Sequence, residues 1–145
     1  MPMNDDFSRV FDRSIAYLYR RRKRYLGEHL RPYGLSGGMH NFITYLHRFP
    51  GQSQDALCSR FYVEKCTVSK RVKQMETMGY IRREVDENDR RQNKLYLTEK
   101  GEELVPIILK CLDDWSRLLT EGIDEENRDV ILHAIERMCE NSSQE

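Results

Sequence analysis

Asp86-Glu-Asn-Asp89-Arg90-Arg91-Gln-Asn-Lys94-Leu95-Tyr96-Leu97-Thr98-Glu-Lys-Gly101 is the stretch on which the reading of this chain turns. The segment before it, Tyr80-Ile81-Arg82-Arg83-Glu84-Val85, has the β-branched and aromatic content of an extended strand. It runs into a polar tip with two adjacent arginines, and the chain returns as an alternating strand at Lys94-Leu95-Tyr96-Leu97. Two strands joined by a short polar tip make a β-hairpin, here one with a cationic tip. Thr98 is then placed to cap a long helix, and Gly79, just upstream, to end one.

Working outward, the helical periods are clear. Residues 7–31 place Phe7, Phe11, Ile15, Leu18, Leu26 and Leu30 on one stripe, and Pro32 and Gly34 stop that helix. Ser36 is expected to cap a second helix whose buried face carries Met39, Phe42, Ile43 and Leu46, and Pro50-Gly51 breaks it. Ser53 caps a short helix that buries Ala56 and Leu57. After a turn at Tyr62-Val63-Glu64, a helix from Lys65 to Met78 keeps Val68, Val72 and Met75 within a narrow arc at ~100° per residue. Its opposite arc is polar. Beyond the hairpin, residues 99–121 form a helix with Leu104, Ile108, Leu112, Trp115 and Leu119 on one side and a bend expected at Pro106. Asp124 caps a last helix with Ile131, Ala134, Ile135 and Met138 on one face.

The order short helix, turn, polar-faced helix, cationic hairpin is that of a winged helix-turn-helix, which holds DNA in two grooves at once. The expected fold is therefore mainly α with a small β-hairpin wing. Residues 35–98 form the DNA-binding winged helix-turn-helix, and residues 1–34 and 99–145 supply long dimerisation helices. Those outer helices have no sequence-local partner for their apolar stripes, and two-fold pairing would present two reading heads to a palindrome.

The composition is that of a globular chain. The 145 residues are 39% hydrophobic and 33% charged, and no run of about 18 apolar residues is present to span a membrane. A secretion signal is not expected from the N-terminal residues, which points to the cytoplasm. Cys58, Cys66, Cys111 and Cys139 are widely spaced, which favours free thiols over disulfides or zinc. The formal net charge of zero conceals a division: residues 9–31 carry net +6, residues 60–94 net +4, and residues 99–145 net −8. A basic body with an acidic tail binds phosphate through one surface and stays soluble. No G-x-S-x-G, H-E-x-x-H, Walker loop or dinucleotide fingerprint is present, so neither an enzyme nor a cofactor is expected. His29, His40, His47 and His133 lack ligand spacing, so no metal is expected.

Four stretches resemble the MarR family of bacterial transcription regulators: Ser53-Gln54-x-x-Leu57, Cys66-Thr67-Val68-Ser69-Lys70-Arg71-Val72, Met75-Glu76-x-x-Gly79-Tyr80-Ile81, and Asp89-x-Arg91-x5-Leu97-Thr98-x-x-Gly101. The last is the most specific. The resemblance implies a homodimer that represses nearby genes and is relieved by a small ligand or by oxidation. It places the wing arginine at Arg91, entering the minor groove, with Asp89 orienting it by a charge-assisted hydrogen bond. The family's zinc sensors would need histidines near positions 104–112, where this chain has Leu104, Ile108 and Leu112. Its peroxide sensors carry a reactive cysteine in the first helix, where this chain has none.

The residues expected to meet DNA are Lys65, Thr67, Ser69, Lys70, Lys73, Gln74 and Thr77 on the polar-faced helix, with Arg90 and Arg91 on the wing. An aromatic or anionic effector would sit in a crevice between the dimer lobe and the reading lobe, against Tyr17, Arg22, Phe42 and Tyr45. Two readings stand for Arg22, which falls on the apolar stripe: a structural ion pair, or a contact to an anionic ligand. Cys66 likewise is either a small residue that fits or a thiol that gates DNA binding by oxidation. The alternatives to a ligand-responsive repressor are a constitutive or redox-gated DNA binder, and a protein-interaction module without DNA binding. The intact Arg90-Arg91 tip argues against that last one.

Overall fold

The computed structural model describes residues 5–89 and 91–144. Helix α1 (Asp5–Leu30) ends in a single 3-10 turn, Arg31–Tyr33, that contains Pro32, and Gly34 closes it in the left-handed region. Helix α2 (Met39–Arg48) differs from expectation at its start: Gly38, not Ser36, is its N-cap, and no side chain caps it. The reason is conformational. Gly37 and Gly38 take φ values of +57° and +81°, a turn that only glycine enters without strain. That turn leaves the Ser36 carbonyl to accept the Met39 N–H at 3.1 Å.

Helix α3 (Gln54–Phe61) is capped as expected, with the Ser53 hydroxyl accepting the Ala56 N–H at 3.1 Å. Helix α4 (Lys65–Thr77) follows a turn in which Tyr62 ends α3 with left-handed angles (φ +52°). Strands β1 (Ile81–Val85) and β2 (Asn93–Leu97) pair antiparallel, with Ile81 opposite Leu97 and Val85 opposite Asn93. Gly51 and Gln52 add a short third edge, exchanging two hydrogen bonds of 2.9 Å with Leu95.

Helix α5 (Glu99–Leu119) is locked onto the hairpin. The Thr98 hydroxyl accepts the Gly101 N–H at 3.1 Å and donates to the Gly79 carbonyl, and the Thr98 N–H reaches the Tyr80 carbonyl at 3.0 Å. A side chain at position 101 would bring its Cβ within 2.2 Å of the Tyr80 carbonyl oxygen, so glycine there is a requirement of packing. Pro106 lies inside α5, and the helix continues through it. Helix α6 (Glu125–Ser142) is capped by the Asp124 carboxylate, which accepts the Asn127 N–H at 2.8 Å.

The core gathers Leu26 and Leu30 of α1, Phe42, Ile43 and Leu46 of α2, Leu57 of α3, Val68, Val72 and Met75 of α4, Leu95 of β2, and Leu104, Val105 and Ile108 of α5. By packing, residues 1–112 are one compact unit and residues 113–145 another. Packing therefore divides the chain elsewhere than at the functional boundaries expected near 34 and 99. The C-terminal end of α1 and the first half of α5 share the winged-helix core, because their apolar residues cover it. Within the second unit, α6 buries no residue. No helix among the described residues is long and apolar enough to cross a membrane.

Candidate nucleic-acid interface

The polar face of α4 is set by what its other face must do. Val68, Val72 and Met75 are fully buried, which fixes the helix's rotation and turns the opposite arc to solvent. Lys65, Ser69, Lys70, Lys73, Gln74 and Thr77 are all exposed there, and Thr67 is half-buried beside them. Lys65 lies 3.7 Å from Asp55 of α3, an exposed pair that holds it loosely at the helix start. The Thr77 hydroxyl donates to the Lys73 carbonyl at 3.0 Å, leaving its oxygen lone pairs toward solvent. Cys66 is exposed on the first turn, with its thiol toward the Glu64 carboxylate at 3.8 Å.

The wing is tied to α4 by Arg83 of β1, whose guanidinium pairs with Glu76. Arg82 lies over the Tyr96 ring at 4.5 Å and pairs with Glu84, so both strands contribute to the contacts on the hairpin's outer face. At the tip, the bond from Asp89 goes to the backbone: its carboxylate accepts the Arg91 N–H at 3.0 Å. Asp86 accepts the Asn88 N–H at 2.9 Å in the same way. Both are Asx turns, which shape the tip and leave the Arg91 side chain exposed. Asp89 thus supports the wing through the main chain, where a bond to the guanidinium was expected. Arg90 lies outside the described residues. Arg91 and Lys65, distant in sequence, share the walls of a small notch of about 120 Å³ with Ser53 and Arg83.

A second and larger feature is a groove of about 840 Å³ between the C-terminal half of α1, the start of α2 and the α3–α4 turn. Of the four residues expected to contact an effector, Arg22 and Phe42 line it, while Tyr17 and Tyr45 do not. Tyr17 faces solvent on α1 beside Arg13 and Leu18. Tyr45 packs edge-on against Phe61, with ring centroids 5.6 Å apart. Phe42 is 1% exposed and belongs to the core as much as to the groove floor. Arg22 is half-buried, and among the described residues no carboxylate pairs with it.

Two groove residues escaped the sequence reading. His40 is 8% exposed, and its Nε2 has no hydrogen-bond partner. Burial first, and the nearby Arg22 charge second, hold its pKa down to about 4, so the ring is neutral near pH 7. Arg71, at the edge of the buried arc of α4, reaches the Gly37–Gly38 turn, where a Cβ on Gly37 would lie 3.1 Å from Nη2. A signal for Arg71 was present: position 71 flanks the buried arc next to Val72 and three residues after Val68.

Residues 33–92 match the model of the MarR family. The HTH-type transcriptional regulator BilQ of Clostridioides difficile (strain CD3) is 27% identical over 137 residues, 90% of this chain and 93% of that protein. The structure of a MarR transcriptional regulator from Methanosarcina mazei Go1 superposes with a TM-score of 0.89 at 32% identity, covering 94% of this chain and 98% of that one. A putative MarR family regulator from Listeria monocytogenes, solved in complex with a 26mer DNA, superposes with a TM-score of 0.81 at 22% identity, covering 89% of this chain and 86% of that one.

Proposed function

The chain belongs to the MarR family of transcriptional regulators, and from that premise we propose a cytoplasmic homodimeric repressor whose grip on a palindromic operator is relaxed by a small ligand. The observation that carries the DNA reading is the rotation of α4. Its apolar arc is spent entirely on the core, and its lysines and short hydroxyls point outward beside an arginine-tipped wing. Lys70 and Lys73 suit phosphates or guanine, Thr67 and Ser69 suit close approach at the helix start, and Arg91 suits a narrow minor groove. The relative solved with a 26mer DNA supports double-stranded DNA as the partner.

The homodimer is supported by the helices themselves. Ile131, Ile135 and Met138 of α6 are at least 40% exposed, as are Phe7, Ile15 and Leu18 of α1. An apolar stripe of this length in water calls for a partner, and a second copy supplies the two-fold symmetry of a palindrome. Ligand relief is supported by the groove, which joins α1 to the turn that positions α4. A ligand there would bias the separation of the two reading heads against half-sites one helical turn apart. A second reading, redox gating, has one observation in its favour: Cys66 is exposed on the first turn of α4.

The test is fluorescence anisotropy of the full-length protein on DNA from its own upstream region, across a salt series. Selective binding that weakens with salt is expected, with Arg91→Ala losing about tenfold or more. Equal affinity for random DNA would sink the operator reading. Loss of binding on mild peroxide treatment, absent in Cys66→Ser, would favour the redox reading over the ligand.

A further inference from the structure

The groove has a chemistry more specific than that of a general crevice. Helix α2 begins in it without a side-chain cap. Among the described residues, the backbone N–H of His40 meets no acceptor, while its neighbours at 39 and 41 bond to Ser36 and Gly38. The His40 side chain in the same wall is more than nine-tenths buried with Nε2 unpartnered. Two guanidiniums serve this place. Arg22 is near enough to His40 for its charge to be felt there, and Arg71 lies against the Gly37–Gly38 turn that opens the helix. Among the described residues neither has a carboxylate partner. Of the carboxylates, Glu28 lines the groove and is held by Arg24 at 2.9 Å.

We propose that this groove binds a phosphorylated small molecule, with the phosphoryl group at the start of α2 between Arg22 and Arg71. The proposal rests on the reading of the groove as the ligand site and names the class of that ligand. A helix N-terminus and a left-handed turn present N–H groups and a positive dipole end to an anion. Two guanidiniums suit a dianion with three terminal oxygens better than a single carboxylate, which one arginine already satisfies in bidentate fashion. The neutral His40 ring lines the same groove and adds no charge to it. The volume of about 840 Å³ exceeds what a phosphate fills, and Phe61 and Tyr62, which also line the groove, offer aromatic surface to an organic body.

The test is calorimetric titration of the full-length protein with phenyl phosphate, inorganic phosphate and benzoate in chloride at matched ionic strength. The expected order is phenyl phosphate, then inorganic phosphate, then benzoate, with Arg22→Gln and Arg71→Gln each weakening phenyl phosphate about tenfold or more. The order of anions is read on the unaltered protein, so it stands even where a variant folds poorly. Arg91→Ala separates the groove from the DNA face: phenyl phosphate binding that is lost there, and kept in Arg22→Gln and Arg71→Gln, overturns the proposal. Benzoate binding as tightly as phenyl phosphate overturns the phosphate class and leaves the groove a ligand site. Binding of no anion, by a protein that still holds its operator, overturns both readings of the groove and leaves DNA binding intact.

Discussion

Helices α4 and α6 carry the same kind of pattern and meet opposite fates. Each sets three or four apolar residues at helical spacing against a polar face. In α4, Val68, Val72 and Met75 are fully buried. In α6, Ile131, Ile135 and Met138 remain 40–49% exposed, and the helix buries nothing. The periodicity is thus equally real in both, but only α4 finds its cover within its own unit. An amphipathic helix announces that it will be covered and does not say by which chain.

The contrast breaks most sharply under a charge. Val72→Asp places a carboxylate with no partner in a fully buried site, and is expected to cost more than about 4 kcal/mol and to unfold the reading unit. Ile135→Asp on α6 is expected to leave the fold of residues 1–112 unchanged and to shift the species from dimer toward monomer. Thermal melts beside light scattering check both outcomes. A monomeric wild type, or an Ile135→Asp protein that melts like Val72→Asp, would erase the distinction.

A change of pH sharpens it next, because burial penalises charge only where water has been excluded. The folded pKa of His40 is about 4, below the ordinary value of 6.5. The unfolded chain therefore binds the extra proton between those values, and the folded state loses stability as pH falls from about 6.5 toward 4. The loss amounts to about 3 kcal/mol across that window. His40→Gln is expected to remove this part of the slope, read as the difference between the two proteins' denaturant midpoints against pH. Parallel profiles would mean that the ring is wetter than its 8% exposure implies.

The smallest effects belong to the caps, Ser53 on α3 in the reading unit and Asp124 on α6. Ser53 and Asp124 each accept a backbone N–H three residues on, at 3.1 and 2.8 Å. Ser53→Ala is expected to cost about 1 kcal/mol of the reading unit's cooperative stability, and Asp124→Ala a comparable amount of α6 helicity. The first is measured by chemical denaturation and the second by hydrogen exchange in α6. An Asp124→Ala protein with unchanged exchange would show that packing, not its cap, holds α6.

Much of this protein was legible before any fold was known, because the signals concerned are local. A hydroxyl or carboxylate at a helix start, a glycine at its end, and a period of 3.6 or 2 act within a few residues of chain. The caps at Ser53, Thr98 and Asp124, the stop at Gly79, the two hairpin strands and the outward face of α4 could all be read that way. Ser36 misled because capping depends on the turn that follows, and Gly37-Gly38 displaced it from the helix. Of the four residues expected to meet an effector, Arg22 and Phe42 line the groove and Tyr17 and Tyr45 do not, since periodicity does not say which aromatic neighbours will meet.

By itself, then, the amino-acid sequence determined the order of the elements, most of their caps and stops, their apolar faces and the cationic hairpin beside a polar-faced helix. Each of these follows from backbone hydrogen bonding and residue spacing along the chain. Tertiary structure alone decided what happens where elements meet. It brought Arg71 of α4 against the turn that starts α2 and left His40 neutral and unpartnered beside Arg22. It also brought Lys65 and Arg91 to one notch, and covered α4 while leaving α6 bare. Those outcomes depend on distances between residues far apart in sequence, and desolvation and charge act through distance, not through order.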